Sequence, residues 1–317
     1  MLRRALAITV ALAAVLAGLL LVSPSAASGA PRDEPAGAVV LVGTGGISWS
    51  DVDQRTTPNL WALLRDGSSA ALSVRSVYAN TCPIDGWLGV SAGARAAAPR
   101  PGSQPDPADR PCPRAPTIEG GSVVQWPTYL AAAASERFDS RLGLLGDTAA
   151  AGRLCLKAVQ PFAAAGGARR DGRIEQYSPW SDQQMMIDLN GCPVTLVDVG
   201  SVRDPDDVAE GEPAPASRRQ QLIEIDRRIG EVIQDGPNGA DFVVASLSDA
   251  GRSERLRLVV ARGPHFGPGV LVSQSTKQKG LAQAPDVTAT VLSVLGLPVA
   301  DAVTGSPLTS DPAPDNS

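Results

Sequence analysis

Apolar residues fall along this chain in short continuous runs separated by amphipathic stretches. Ala38-Val39-Val40-Leu41-Val42 is apolar without a break, the pattern of a central strand covered on both faces, and Gly43-Thr44-Gly45-Gly46 ends it. Val194 to Val199 and Phe242 to Leu247 are two further candidates for buried strands. Between them, Leu222, Ile225, Ile229, Val232 and Ile233 recur at helical spacing with charged residues on the opposite face. Thr57-Pro58 opens an earlier helix, with threonine as cap and proline in the first turn; Leu60, Leu63 and Leu64 share a face, and Gly67 ends it. Another helix is predicted within Val123 to Phe138, and a last one over Pro285 to Leu295, closed by Gly296 and Pro298. Leu256 to Ala261 and Gly269 to Val272 read as a strand pair. Strands alternating with helices predict an α/β fold: a mostly parallel central sheet sandwiched between helices.

The organisation around that core follows from composition. Residues 1–30 carry Arg3 and Arg4, an apolar stretch from Ala5 to Val22, and small residues around Ser23-Pro24-Ser25-Ala26-Ala27, as in a signal peptide or an amino-terminal anchor. A polar linker (31–37) leads to one α/β domain (38–300), and the tail 301–317 is expected to lack fixed structure. Two stretches are irregular: the proline- and arginine-rich excursion from Ala96 to Pro116, and the acidic, proline-punctuated loop from Pro205 to Ala216.

Charge and rare residues narrow the chemistry. With 28 basic against 33 acidic side chains and a net charge of −5, no nucleic-acid partner is expected. A single histidine, His265, excludes any mechanism that needs several imidazoles, and a lone histidine in a Gly/Pro-rich loop reads as structural or solvated. Cys82, Cys112, Cys155 and Cys192 form an even set without CxxC spacing, as in an exported, disulfide-bonded protein. Three pairings are possible; Cys82–Cys112 and Cys155–Cys192 each close a moderate loop, and the first would pin the proline-rich excursion.

Four places carry candidate chemistry. Gly43, Thr44 and Gly45 follow the first strand, where ligands of open α/β sheets bind, and form a candidate anion-binding turn. Thr81 precedes a helix that Asp85 is placed to cap; free N–H groups and the dipole at a helix amino end favour an anion, and a hydroxyl there could meet an ester once a base or metal activates it. Asp198 and Asp249 follow strands, where aspartates serve as metal ligands or as turn formers. His265 is the fourth.

Taken in order, these segments resemble the alkaline phosphatase-like superfamily, which includes sulfatases, nucleotide pyrophosphatases and phosphoglycerate mutases. Thr57-Pro58-Asn59-Leu60-Trp61-Ala62-Leu63-Leu64-Arg65-Asp66-Gly67 is similar to its "TPNLDRLAREG" segment, and Thr81-Cys82-Pro83 sits where the family keeps its nucleophile. Val197-Asp198-Val199-Gly200 resembles a strand bearing an aspartate metal ligand, Ile225-Asp226-Arg227-Arg228-Ile229-Gly230 the "iDxxiG" helix, and Ser248-Asp249-Ala250-Gly251 the Ser-Asp-His-Gly motif. Gln283 to Pro298 resembles the closing helix, so the resemblance spans Val39 to Pro298. It implies a dinuclear metal site held by aspartates and, typically, three histidines. Here the first-strand aspartate is replaced near Thr44, the motif histidine is Ala250, and no histidine follows Asp198.

The resemblance therefore implies a degenerate member that has kept the scaffold and lost the metal centre, similar to extracytoplasmic parts of actinobacterial membrane or secreted proteins. The expected function is a non-catalytic exported envelope domain that binds an envelope protein or an anionic envelope component, with no cofactor. The alternative is a metal-dependent phosphoester or sulfoester hydrolase, with Thr81 as nucleophile and a single divalent metal ion on Asp198 and Asp249, joined by Asp51 or Asp53. A third reading, a secreted sugar- or peptide-binding module, rests on the five tryptophans alone.

Overall fold

The computed structural model describes residues 37–180, 189–205, 214–252 and 254–312. The expected leader at 1–30, nearly all of the linker and most of the acidic loop after Pro205 lie outside the described residues.

The first apolar run becomes β1 (Val39–Gly45), buried along its whole length because it runs between two parallel neighbours, β7 (Val194–Ser201) and β8 (Asp241–Ser246). The sheet continues past β7 through β5 (Leu156–Val159) to β6 (Gln176–Ser178), both parallel. Past β8 it runs through β9 (Arg257–Arg262), β2 (Ser68–Ser73), β10 (Gly269–Val272) and β12 (Thr309–Pro312), and β11 (Leu281–Gln283) also pairs with β2. β9 is antiparallel to both neighbours and β12 to β10; the other ladders are parallel. β3 (Ile118–Glu119) and β4 (Ser122–Val123) form a separate two-stranded ribbon in the segment that follows the excursion.

Strand alternation sorts the core into two layers. Val39 and Leu41 of β1 pack with Val194, Leu196, Val243 and Ala245 on one face. That face is covered by α2 (Pro83–Ala92), α3 (Trp126–Ser135), α4 (Leu144–Ala151), α5 (Pro161–Gly167) and α7 (Ala284–Val294), which contribute Trp87, Trp126, Leu145, Ala163 and Val291. Val40 and Val42 point the other way, to Leu60 and Leu63 of α1 (Pro58–Asp66) and Ile225 and Ile229 of α6 (Arg218–Asp235).

Three expectations are corrected. The strands around Leu258 and Leu271 are not a pair, because β2 lies between them. Its run Ser68-Ser69-Ala70-Ala71-Leu72-Ser73 is too small-sided and polar to announce a strand, yet alternate residues bury at Ala70 and Leu72. The tail is ordered through Pro312: Leu308 and Val303 are buried, Leu308 N donates to Thr290 Oγ1 at 2.9 Å, and β12 adds an antiparallel edge to β10. Thr57 does not cap α1 with its side chain. Asp226 does so from α6, accepting Leu60 N at 2.9 Å and Asn59 N at 3.1 Å. The glycine of the same segment, Gly230, is required because a methyl there would collide with Asn59. The "iDxxiG" pattern is thus a helix-to-helix clamp.

Candidate functional site

β1, β7 and β8 are parallel, so their carboxyl ends meet at one rim of the sheet. β9 runs antiparallel to β8 and therefore begins at that rim, while β2, antiparallel to β9, ends there. This topology gathers Thr44, Asp198, Asp249 and Arg257, and delivers Thr81 shortly after β2.

Thr81 and Asp249 are tied together through the backbone: Thr81 N donates to Asp249 Oδ2 at 3.0 Å, and Asp249 N donates to Thr81 O at 2.8 Å. Thr81 is 2% exposed. Its hydroxyl donates to Val74 O at 2.6 Å and accepts Ser76 N at 3.0 Å, so it closes a turn, and among the described residues no carboxylate or imidazole takes its proton.

The other oxygen of Asp249 belongs to Arg257. Asp249 Oδ1 accepts Arg257 Nε at 3.0 Å and Nη2 as well, while Nη1 donates to Gly46 O at 3.2 Å. The two side chains are 4% and 3% exposed. Burial raises the Asp249 carboxyl above the usual carboxylate range, and the Arg257 guanidinium pulls against that shift.

Asp198 follows Val194 and Leu196 in the two-residue repeat of β7, so it faces α2. Burial pushes the carboxyl up to about 6, against the pull of Gly200 N, which donates to Oδ1 at 3.3 Å, and of the neighbouring Trp87 indole. Gly43 is the β1 residue opposite Asp198, and a methyl there would run into the Trp87 ring. The indole therefore sits over the Gly43 backbone and against Asp198.

Gly43, Thr44 and Gly45 are buried strand residues within β1; Gly43 pairs with both neighbours, Thr44 with β8 and Gly45 with β7, and Thr44 Oγ1 donates to Gly200 O at 2.7 Å. At the start of α2 the amides are similarly engaged. Pro83 has no N–H, and Cys82 N donates to Asp85 Oδ2 at 2.9 Å. Asp85 is the third residue of α2 rather than its cap; it also accepts Ala98 N at 2.9 Å and pairs with fully buried Arg100 at 2.6 Å. The amides of Thr81 and Cys82 thus face this chain's own carboxylates.

The remaining candidates have local partners. Asp51 pairs with Arg218 at 2.6 Å, and Asp53 accepts Arg55 N and Thr56 N in a turn. His265 lies at the opposite edge of the sheet, where Nδ1 is 2.6 Å from Oδ2 of Asp241, the first residue of β8. Cys82 is bonded to Cys112 and Cys155 to Cys192, with Cα–Cα distances of 5.5 and 5.1 Å. Sequence reasoning missed Arg257 and Trp87; the available signal was a charge inside the apolar run Leu256 to Ala261.

A cavity of about 250 Å³ opens at the rim between the end of β7 and residues 112–115, lined by Pro83, Arg114, Phe162, Arg203 and Asp249 among others. Among the described residues no group of three or more His, Cys, Asp or Glu is gathered to hold a metal ion. The donors that are present do not fit a dinuclear site: Asp249 is bound to Arg257, Asp198 lies against the Trp87 indole, and Thr44 and Ala250 add neither a carboxylate nor an imidazole.

Neither a family model nor a curated protein matches the chain at the sequence level. Solved structures do. A protein in the alkaline phosphatase superfamily from Vibrio parahaemolyticus is 12% identical, with a TM-score of 0.51 over 86% of this chain and 69% of that one. Human ectonucleotide pyrophosphatase/phosphodiesterase 5 is 9% identical, also with a TM-score of 0.51, over 83% of this chain and 96% of that one. The fold is that of the alkaline phosphatase superfamily. In this alkaline phosphatase-like chain, the sheet order, the α1–α6 clamp and the α7 closure form the scaffold that carries the rim.

Proposed function

We propose that this chain is a non-catalytic exported envelope domain, an alkaline phosphatase-like scaffold that has lost its dinuclear metal site. The observation that carries this reading is the buried pair of Arg257 and Asp249. Arg257 brings a permanent positive charge to a carboxylate that would otherwise compensate a metal ion, and the two cations would compete for that one carboxylate. Displacing the guanidinium would leave it buried and uncompensated, at a cost of several kcal/mol. Attack by a hydroxyl at neutral pH needs a base or a metal to take or weaken the O–H bond. Thr81 Oγ1 instead donates to a main-chain carbonyl.

The two disulfides favour an extracytoplasmic location. The partner in this reading is an envelope protein or an anionic envelope component meeting the arginine-lined rim. The rival reading, a Thr81-dependent ester hydrolase with one divalent ion, draws on the direct contact of Thr81 with Asp249. Hydrolysis of p-nitrophenyl phosphate and sulfate, with zinc, manganese or magnesium supplied, separates the two. The expected result is no turnover above buffer; turnover that disappears in Thr81→Ala would overturn the proposal.

A further inference from the structure

The proline-rich excursion builds a second cleft that the rim chemistry does not use. It encloses about 580 Å³ and is lined by Pro99, Pro101, Pro111 and Pro113 together with Tyr129 of α3. The volume is in the range of small-molecule sites, roughly 300–1,000 Å³. Its walls are held in place: proline rings have little rotamer freedom, and Cys112 between two of them is bonded to Cys82. A site so fixed loses little entropy when it takes a ligand. Proline rings pack well on aromatic faces, as when proline-rich peptides dock in aromatic grooves. Here the prolines belong to the protein, so the aromatic ring is the ligand's to supply.

The polar groups limit what would fit. Tyr129 is 5% exposed, its ring meets Trp126 edge-on at 6.5 Å, and its hydroxyl makes no hydrogen bond among the described residues. Burial, to which the Asp85 charge adds, pushes that phenol up to about 12, so it remains an O–H donor at neutral pH. A donor shielded from water without an acceptor costs free energy, and a ligand that brings the acceptor recovers it. The charged side chains at the cleft are Arg100 and Arg114, and the chain already engages both. Arg100 is buried against Asp85, and Arg114 has an interaction partner of its own. A charged ligand would compete with those contacts, whereas a neutral one leaves them intact.

We propose that this cleft binds a small neutral aryl carbonyl compound, its ring among the prolines and its carbonyl oxygen accepting the Tyr129 hydroxyl. The site is independent of whether the rim is catalytic. The test is equilibrium dialysis of the whole chain against 2-acetonaphthone, its hydrocarbon isostere 2-isopropenylnaphthalene, and the anion 2-naphthoate. The expected result is one saturable site for the ketone, about five- to tenfold tighter than for the hydrocarbon, the worth of one hydrogen bond. The anion should bind no better than the ketone. Tyr129→Phe should bind ketone and hydrocarbon alike, with a melting curve like that of the unmodified chain, because the lost hydroxyl has no partner in the fold. Thr128→Trp, which crowds the cleft from an exposed position of α3, should weaken both ligands by about tenfold and leave the melting curve in place. No saturable binding of the ketone, equal affinity for the hydrocarbon, tighter binding of the anion, a ketone preference that survives Tyr129→Phe, or undiminished binding in Thr128→Trp would overturn the proposal.

Discussion

Arg257 Nε lies 3.0 Å from Asp249 Oδ1, and the pair is almost wholly shielded from water. A buried ion pair adds little over a well-packed apolar pair, but removing one member strands the other. Arg257→Met should therefore cost about 3–5 kcal/mol of stability. Adding Asp249→Asn should recover part of that loss, since the uncompensated charge is then gone. Urea unfolding of the two single variants and the double variant measures this coupling; additive effects would mean the pair is not a unit.

Asp198 gives the stability a definite pH dependence. Its carboxyl is lifted by burial from 3.8 in the unfolded chain to about 6 in the fold. The folded state thus holds this proton more tightly, and the stabilisation is complete below the unfolded value and lost as pH rises through the folded one. Asp198→Asn removes the dependence. Relative to the variant, the unmodified chain should lose up to about 3 kcal/mol between roughly pH 4 and pH 7, at roughly 1.4 kcal/mol per pKa unit. Denaturant unfolding of both proteins across that range is the check, and parallel pH profiles would refute it.

The Trp87 ring rests on the backbone of Gly43, so a single methyl is the sharpest probe of that contact. Gly43→Ala should destabilise by about 1–3 kcal/mol through overpacking. Combining it with Trp87→Leu should cost less than the sum of the two changes, because the smaller side chain makes room for the methyl. Thermal denaturation of the three variants reads this directly.

Asp226 holds the first turn of α1 from another helix. Asp226→Ala leaves the Asn59 and Leu60 amides without partners, an expected loss of about 2 kcal/mol. Amide hydrogen exchange should quicken first at Asn59 and Leu60, well before the core of β1.

Much of this architecture is legible in the order of residues. β1, β7 and β8 are built around short apolar runs because both faces are covered, and Pro58 and Pro285 mark helix starts because a first turn has no use for their missing N–H. β2 is hidden because Ser68, Ser69 and Ser73 suit a half-buried strand without advertising one. The rim is legible only in part. Thr81, Asp198 and Asp249 stand out at element ends, but what each does depends on partners set by topology. Arg257 reaches Asp249 because β9 reverses direction beside β8, and Trp87 reaches Asp198 because Gly43 lets α2 approach. Neither follows from local periodicity.

In the proposed reading, Arg257 rather than a metal ion holds Asp249 at the rim. The most direct test is a crystal structure of the chain soaked with zinc and phosphate, with anomalous data at the zinc edge. The expected map shows the Arg257 guanidinium still on Asp249 and no anomalous peak between Asp198 and Asp249. Two anomalous peaks there, with Arg257 turned away and Thr81 Oγ1 bound to metal, would contradict it.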